Sequence, residues 1–159
     1  MLLKIICALS LLAGPALGLS CKPPNFGERF NTAAAAEEMY SLVYGAFEPT
    51  VPQDDLADAM AAPFIFDGKQ LGREGFGQTQ AREVMVERSC AGDFCGPFPP
   101  TGVPMMALLE HRGTVQVLNA GPCSNDVALE PSFGQVSAIR ACMGSLECGA
   151  EEISAFERR

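Results

Sequence analysis

Apolar and polar residues alternate over several short stretches of the chain, a pattern typical of half-buried β-strands. In the first stretch, residues 39–47, Tyr40, Leu42 and Tyr44 fall on one face. Similar stretches predict four more strands, over residues 63–66, 79–88, 104–110 and 114–118. Five short strands in about 140 residues predict a mainly β fold that forms a small closed or half-closed barrel.

Helical signals are confined to short segments. A short helix is predicted over residues 33–38, with Asn31 or Thr32 as its cap. A Ser-x-x-Gln capping box at residues 132–135 begins a C-terminal helix with apolar residues at helical spacing, and Gly144 is predicted to end it.

The connections between these elements are polar. An acidic connection over residues 48–62 contains one predicted helical turn, at 54–60. Asp67-Gly68 predicts a tight turn after the second strand, and residues 111–113 predict the tip of a hairpin. Residues from about 149 to 159 are predicted to form a frayed polar tail.

Residues 1–18 have the composition of a secretory signal peptide. A basic residue precedes the apolar run 5–13, and cleavage fits after Gly18 or after Ser20. The run is shorter than the roughly 20 residues that a membrane span needs. We therefore predict a secreted or periplasmic protein with no membrane span and a single domain over residues 19–159.

Acidic residues dominate the charge of the chain. Its formal charge of −8 becomes −9 after cleavage, because Lys4 is lost and all 19 acidic residues remain. Such a surface repels phosphate backbones and anionic lipid, which makes nucleic acid an unfavourable partner.

Six cysteines follow the leader, and an even set in an exported chain of this size predicts a disulfide framework. These are Cys21, Cys90, Cys95, Cys123, Cys142 and Cys148. Zinc is a weaker interpretation, because structural zinc sites favour two to four residues between paired ligands and need reduced thiols. Lipidation of Cys21 is disfavoured, since Gly18 stands where a lipoprotein signal has a large aliphatic residue.

No catalytic, cofactor-binding or metal site is predicted. His111, the single histidine, is placed at the hairpin tip, where an imidazole is solvated and poorly oriented for a nucleophile–histidine pair. Met105 and Met106 are adjacent on a strand and point to opposite faces, so they are predicted to fill the core. Asp54, Asp55 and Asp58 lack the alternating ligands and central glycine of a calcium loop.

Three prolines lie close together in one loop, over residues 96–100. It is predicted to be stiff and exposed, and such a loop pre-organises an apolar side chain for a protein partner. The alternative is a connection that merely rounds a barrel corner. The candidate partner loop comprises Gly96, Pro97, Phe98, Pro99 and Pro100.

The order of several short motifs resembles the netrin-like domain, the OB-type barrel of the tissue inhibitors of metalloproteinases. The resemblance spans nearly the whole mature chain, although each motif is short. The motifs are Cys21, Phe30-Asn31-x-Ala33, Gly45, Cys95-Gly96, Gly102, the apolar strand 105–109, Cys123 and a cysteine-bearing helix.

The resemblance implies a five-stranded OB-like barrel with helices packed beside it and a disulfide that holds the N-terminal segment. If the disulfide pattern of the family applies to this chain, Cys21 would pair with Cys95 or Cys123. Six cysteines allow 15 connectivities. Local spacing and the family order together favour Cys21–Cys123, Cys90–Cys95 and Cys142–Cys148.

The sequence after Cys21 departs from the family pattern, and this departure favours a general binding function over protease inhibition. The inhibitors begin Cys-x-Cys and chelate the protease zinc through the first cysteine, whereas Lys22-Pro23-Pro24 follows Cys21 here. We therefore predict an exported, non-enzymatic binding module with a protein partner. Metalloprotease inhibition through Cys21 is the second hypothesis, and an envelope hydrolase that uses carboxylates is the third.

Overall fold

The computed structural model describes residues 25–124 and 126–157. The strands are β1 (Tyr40–Pro49), β2 (Ala61–Gly72), β3 (Gly75–Arg88), β4 (Cys90–Ala91), β5 (Phe94–Cys95), β6 (Met105–Arg112), β7 (Val115–Ala120) and β8 (Val127–Leu129). The α-helices are α1 (Phe26–Ala34), α2 (Phe133–Ser145) and α3 (Ala150–Ser154), and a 3₁₀ turn spans Gln53–Leu56.

Five strands close the barrel that the sequence predicts. β1, β2 and β3 pair antiparallel in order, β3 pairs parallel with β7, and β7 pairs antiparallel with β6. The pairing of β6 with β1 closes the ring, and β8 adds to β6. The mainly β, OB-like fold is therefore confirmed. Closure gives each of the five strands two neighbours within the barrel.

The strand alternation produces two separate apolar clusters. One fills the barrel and includes Val43, Phe66 and Met105, while the other lies between the barrel wall and the helices and includes Leu42 and Met106. Adjacent Met105 and Met106 are 0 % and 1 % exposed and belong to different clusters. Their predicted role as core residues on opposite faces is confirmed.

The predicted turn at Asp67-Gly68 is wrong, because β2 continues through it to Gly72. Gly68 pairs with Gly45 on β1, where the two backbones cross closely. A Cβ on Gly68 would lie 2.4 Å from the carbonyl oxygen of Tyr44. The glycine is therefore required for close approach of two strands and not for reversal of the chain.

The N-terminal helix begins earlier than predicted. Asn25 caps α1 through a capping box with Glu28, and the helix ends at Ala34, so the predicted helix over residues 33–38 is misplaced. Asn31 is not a cap. Its side-chain amide instead exchanges hydrogen bonds of 2.9 and 2.6 Å with the backbone of Cys148, which ties α1 to the C-terminal segment.

The C-terminal helix begins at the predicted capping box, which is confirmed at Ser132. Gly144 does not end it, because α2 runs to Ser145 and Leu146 closes it in the left-handed region, with φ of 60°. The predicted polar tail is also wrong over residues 150–156. These residues include α3, and Phe156 packs on Phe26 of α1 with ring centroids 5.6 Å apart.

Two of the predicted disulfides are present, Cys90–Cys95 and Cys142–Cys148. Cys123 is also disulfide-bonded. Its predicted partner Cys21 lies outside the described residues, as do the predicted signal peptide 1–18 and its cleavage sites. Among the described residues, no helix has the length and apolar character needed to cross a membrane.

Candidate functional site

The candidate partner loop lies against the barrel. Phe98 is half-buried, packs against the interior cluster and lies 5.6 Å from the ring of Phe64. Pro99 is buried, whereas Pro97 and Pro100 are exposed. The predicted exposure of Phe98 is therefore wrong, because the apolar ring gains more by covering the barrel interior than by remaining in water.

Arg88 fastens this loop at its start. Its Nε donates to the carbonyl oxygen of Gly96 at 2.7 Å, its Nη1 donates to the carbonyl oxygens of Ala57 and Ala59, and its guanidinium lies 5.1 Å from the ring centroid of Phe98. Gly96 is buried, and a Cβ there would lie 2.0 Å from the carbonyl oxygen of Ala120. The loop is thus an anchored part of the barrel.

His111 is not at a hairpin tip. It lies within β6 opposite Gln116, and the turn follows at Gly113. Its Nε2 lies 2.7 Å from Oγ of Ser41 and 3.0 Å from Nε2 of Gln116. The predicted exposed histidine is therefore wrong, because two polar side chains from neighbouring strands hold the imidazole.

This arrangement places a hydroxyl beside an imidazole but does not build a catalytic triad. Ser41 is only 5 % exposed. Among the described residues, no carboxylate hydrogen-bonds to the other ring nitrogen of His111, and Gln116 shares the nitrogen that Ser41 contacts. Orientation by a third group is a central element of triad chemistry. The contacts support a role in joining β1, β6 and β7.

Arg82 on β3 is the most unusual polar residue among those described. Its guanidinium lies 5.4 Å from the ring centroid of Phe66, and Nη1 donates to Oε1 of Gln70 at 3.4 Å. Its Nε and Nη2 are buried and have no hydrogen-bond partner within the described residues. Burial lowers the pKa of Arg82 below its ordinary value.

An apolar cleft of 370 Å³ lies between the end of α1, the end of α2 and the neighbouring ends of β1 and β2. Met39 and Leu146 line it and are 71 % and 42 % exposed. Ser41 and Gln70 supply polar groups to its wall. A cleft of this volume, with apolar walls and a few polar groups, is typical of a ligand-binding site.

Leu146 lies at the edge of this cleft and ends α2 in the left-handed region. A leucine rarely adopts positive φ, since its Cβ then crowds the backbone. The Cys142–Cys148 disulfide encloses the turn that contains Leu146. A left-handed residue is a common way for a helix to end, and here a leucine takes the place that glycine usually fills.

Two sets of charged side chains lie away from the cleft, and each forms ion pairs within the described residues. On the outer barrel surface, Arg112 binds Glu110 and Glu87, and its hydrogen bonds together with one from Asn119 hold the pKa of Glu110 at about 2. Asp126 is 2 % exposed and pairs with Arg29, but burial raises the pKa of Asp126 more than the guanidinium lowers it.

Among the residues that the structure describes, no group of three or more histidine, cysteine, aspartate or glutamate side chains is placed to hold a metal ion. The chain has no match among protein-family models, curated proteins or solved structures.

Proposed function

We propose that the protein is an exported, non-enzymatic binding module built on a netrin-like barrel, and that its cleft accepts an apolar side chain of a protein partner. The carrying observation is the solvent-open apolar cleft bordered by Met39 and Leu146. Exposed methionine and leucine side chains in a concave site gain free energy when a partner covers them.

Other features support parts of this proposal. The helices packed beside the barrel agree with the arrangement that the netrin-like resemblance implies. Disulfides persist in oxidising compartments, which supports export. The anchored position of Phe98 moves the expected contact surface from the proline-rich loop to the cleft.

The test uses the neutral probe N-acetyl-leucine amide, which mimics one internal leucine residue. Added at millimolar concentration to the ¹⁵N-labelled mature protein, it should shift backbone resonances of residues that line the cleft. Ala34 lines the cleft and is exposed, so Ala34→Trp should fill the cleft and abolish the shifts. Ala141→Trp places the same side chain at an exposed position of α2 outside the cleft and should leave them intact.

Shifts that persist in Ala34→Trp, or that occur elsewhere on the barrel, would refute the cleft as the site. Inhibition of a zinc metalloprotease by protein processed to begin at Cys21 would replace this function by the inhibitor hypothesis.

A further inference from the structure

The apolar cleft adjoins a second depression of 330 Å³, which lies where α1 and α2 end. Ala34 and Leu146 line both depressions, and Asn31, Ala35 and Glu147 complete the lining of the second one. The two depressions therefore form one groove. A ligand with a side chain in the cleft can reach the second depression with a neighbouring group.

The charged side chains that line this groove have one sign. Among the described residues, Glu38 is the only charged residue that lines the cleft, and Glu147 is the only one that lines the second depression. Both are exposed, and neither forms an ion pair within the described part of the chain. A cation in the groove would therefore meet two carboxylates that no described cation occupies.

The two helices add to the negative potential of the groove. α1 ends at Ala34 and α2 ends at Ser145, and the free carbonyl groups at the C-terminal end of a helix carry partial negative charge. A basic residue in the last turn would offset this charge, but neither helix has one there. Two helix ends and two carboxylates thus favour a positively charged ligand.

Two arginines are close enough to the groove to be considered, but neither lines either depression. Arg29 packs on the ring of Tyr40 and forms an ion pair with Asp126. Arg140 lies at the turn between β2 and β3, where a Cβ on Gly75 would be 3.8 Å from its Nη2. The charge of the lining itself is therefore negative.

We propose that the groove binds a basic segment of the protein partner, with an apolar side chain in the cleft and an adjacent lysine or arginine in the second depression. This inference rests on the function proposed above and specifies the partner. Charge complementarity selects the basic residue, whose methylene stem can lie over Leu146 while its charged end reaches Glu147. The formal charge of −8 also attracts a basic partner at long range.

The experiment compares three blocked tripeptides that share a central leucine: acetyl-Lys-Leu-Lys-amide, acetyl-Gln-Leu-Gln-amide and acetyl-Glu-Leu-Glu-amide. The flanking residue occurs on both sides, so the peptide can bind in either direction. At low ionic strength the lysine peptide should bind about fivefold more tightly than the glutamine peptide, and the glutamate peptide should bind most weakly. In about 0.5 M NaCl the difference should fall to within about twofold, because salt screens exposed charges. The constants are measured from shifts of cleft resonances.

Glu38→Gln together with Glu147→Gln removes both carboxylates but keeps the shape of the groove, and it should reduce the preference for lysine to within about twofold. Glu48→Gln together with Glu83→Gln is the matched control. It changes the net charge by the same amount at exposed positions of β1 and β3 outside the groove, and it should keep the preference. In the wild-type protein, the backbone amide of Glu147 should shift more with the lysine peptide than with the glutamine peptide.

The outcomes separate the two proposals. Equal binding of the three tripeptides in the cleft would overturn the basic partner and leave the proposed function standing. Failure of all three, and of N-acetyl-leucine amide, to shift the cleft would overturn the proposed function. Equal loss of the preference in both double variants would assign it to the overall charge of the chain and overturn the groove as its source. Tighter binding of octylamine than of the lysine peptide would assign a small amphipathic amine in place of a protein segment.

Discussion

Phe98→Ala tests whether the proline-rich loop belongs to the core. Complete burial of a phenylalanine gives a cost of about 3–5 kcal/mol for truncation to alanine. Phe98 is half-buried and contacts Phe64 and Arg88, so roughly half of that cost applies, and the contacts with the ring and the guanidinium add to it. We expect a loss of about 2–3 kcal/mol in the free energy of unfolding.

Phe94→Ala is the matched control for this change. Phe94 lies four residues earlier, in β5, and is 75 % exposed. Its truncation should change the free energy of unfolding by less than about 0.5 kcal/mol. Urea denaturation under non-reducing conditions measures both variants. A thermal scan should show Phe98→Ala lower by roughly 10 °C at this chain length.

Equal stability of the two variants would refute the reasoning, because it would mean that Phe98 contributes no more to the fold than an exposed ring. The loop would then again be a candidate for direct contact with a partner. A large loss for Phe94→Ala would show that the disulfide-closed hairpin β4–β5 is covered by another part of the chain.

Two further predictions concern the barrel. Gly68→Ala should lower the free energy of unfolding, measured by urea denaturation, by about 3 kcal/mol, because its Cβ would lie 2.4 Å from a backbone oxygen. The control Gly77→Ala, whose Cβ would have its nearest contact at 3.6 Å, should change this free energy by less than about 1 kcal/mol. Equal losses in the two variants would contradict the close crossing of the strands. Because the folded-state pKa of Glu110 is about 2 and its ordinary value is 4.5, its stabilisation is present above pH 4.5 and is lost as pH falls through 2. Glu110→Gln should therefore flatten the acid limb of stability against pH, while Glu83→Gln, at an exposed position of β3, should not; identical limbs would refute the assignment.

Much of the barrel could be predicted from local pattern, because period-2 alternation directly reports which face of a strand is buried. Tyr40, Leu42 and Tyr44 do share the outer cluster, and the capping box at Ser132 marks the start of α2. Spacing also found both short-range disulfides. These features depend on residues close in sequence, which is why the sequence reports them.

The errors arose where contacts distant in sequence decide the outcome. Asp67-Gly68 has the composition of a turn, but Gly45 across the strand pair requires glycine there. Asn31 resembles a helix cap, but the backbone of Cys148 binds it. Phe156 is close to a charged terminus, yet α1 offers it an apolar surface. Local propensity cannot report a partner that lies more than 20 residues away.

The candidate site also depends on contacts between residues that are distant in sequence. Arg82 has a weak signal in the sequence, since the alternation of β3 places it on the same face as Val84 and Val86, which are fully buried. An arginine on the inward face of a strand is unusual and needs a partner. That signal could have selected Arg82 as a candidate.

Among the described residues, the lack of an acceptor for Nε and Nη2 of Arg82 is apparent only when the neighbouring strands are in place. The cleft needs even more of the fold, because its walls come from two helices and three strands. The proline-rich loop attracted attention because its residues are contiguous, and the fold uses it to cover the interior. The residues that form the cleft are instead distant in sequence, from Phe30 to Leu146, and come together only in the fold.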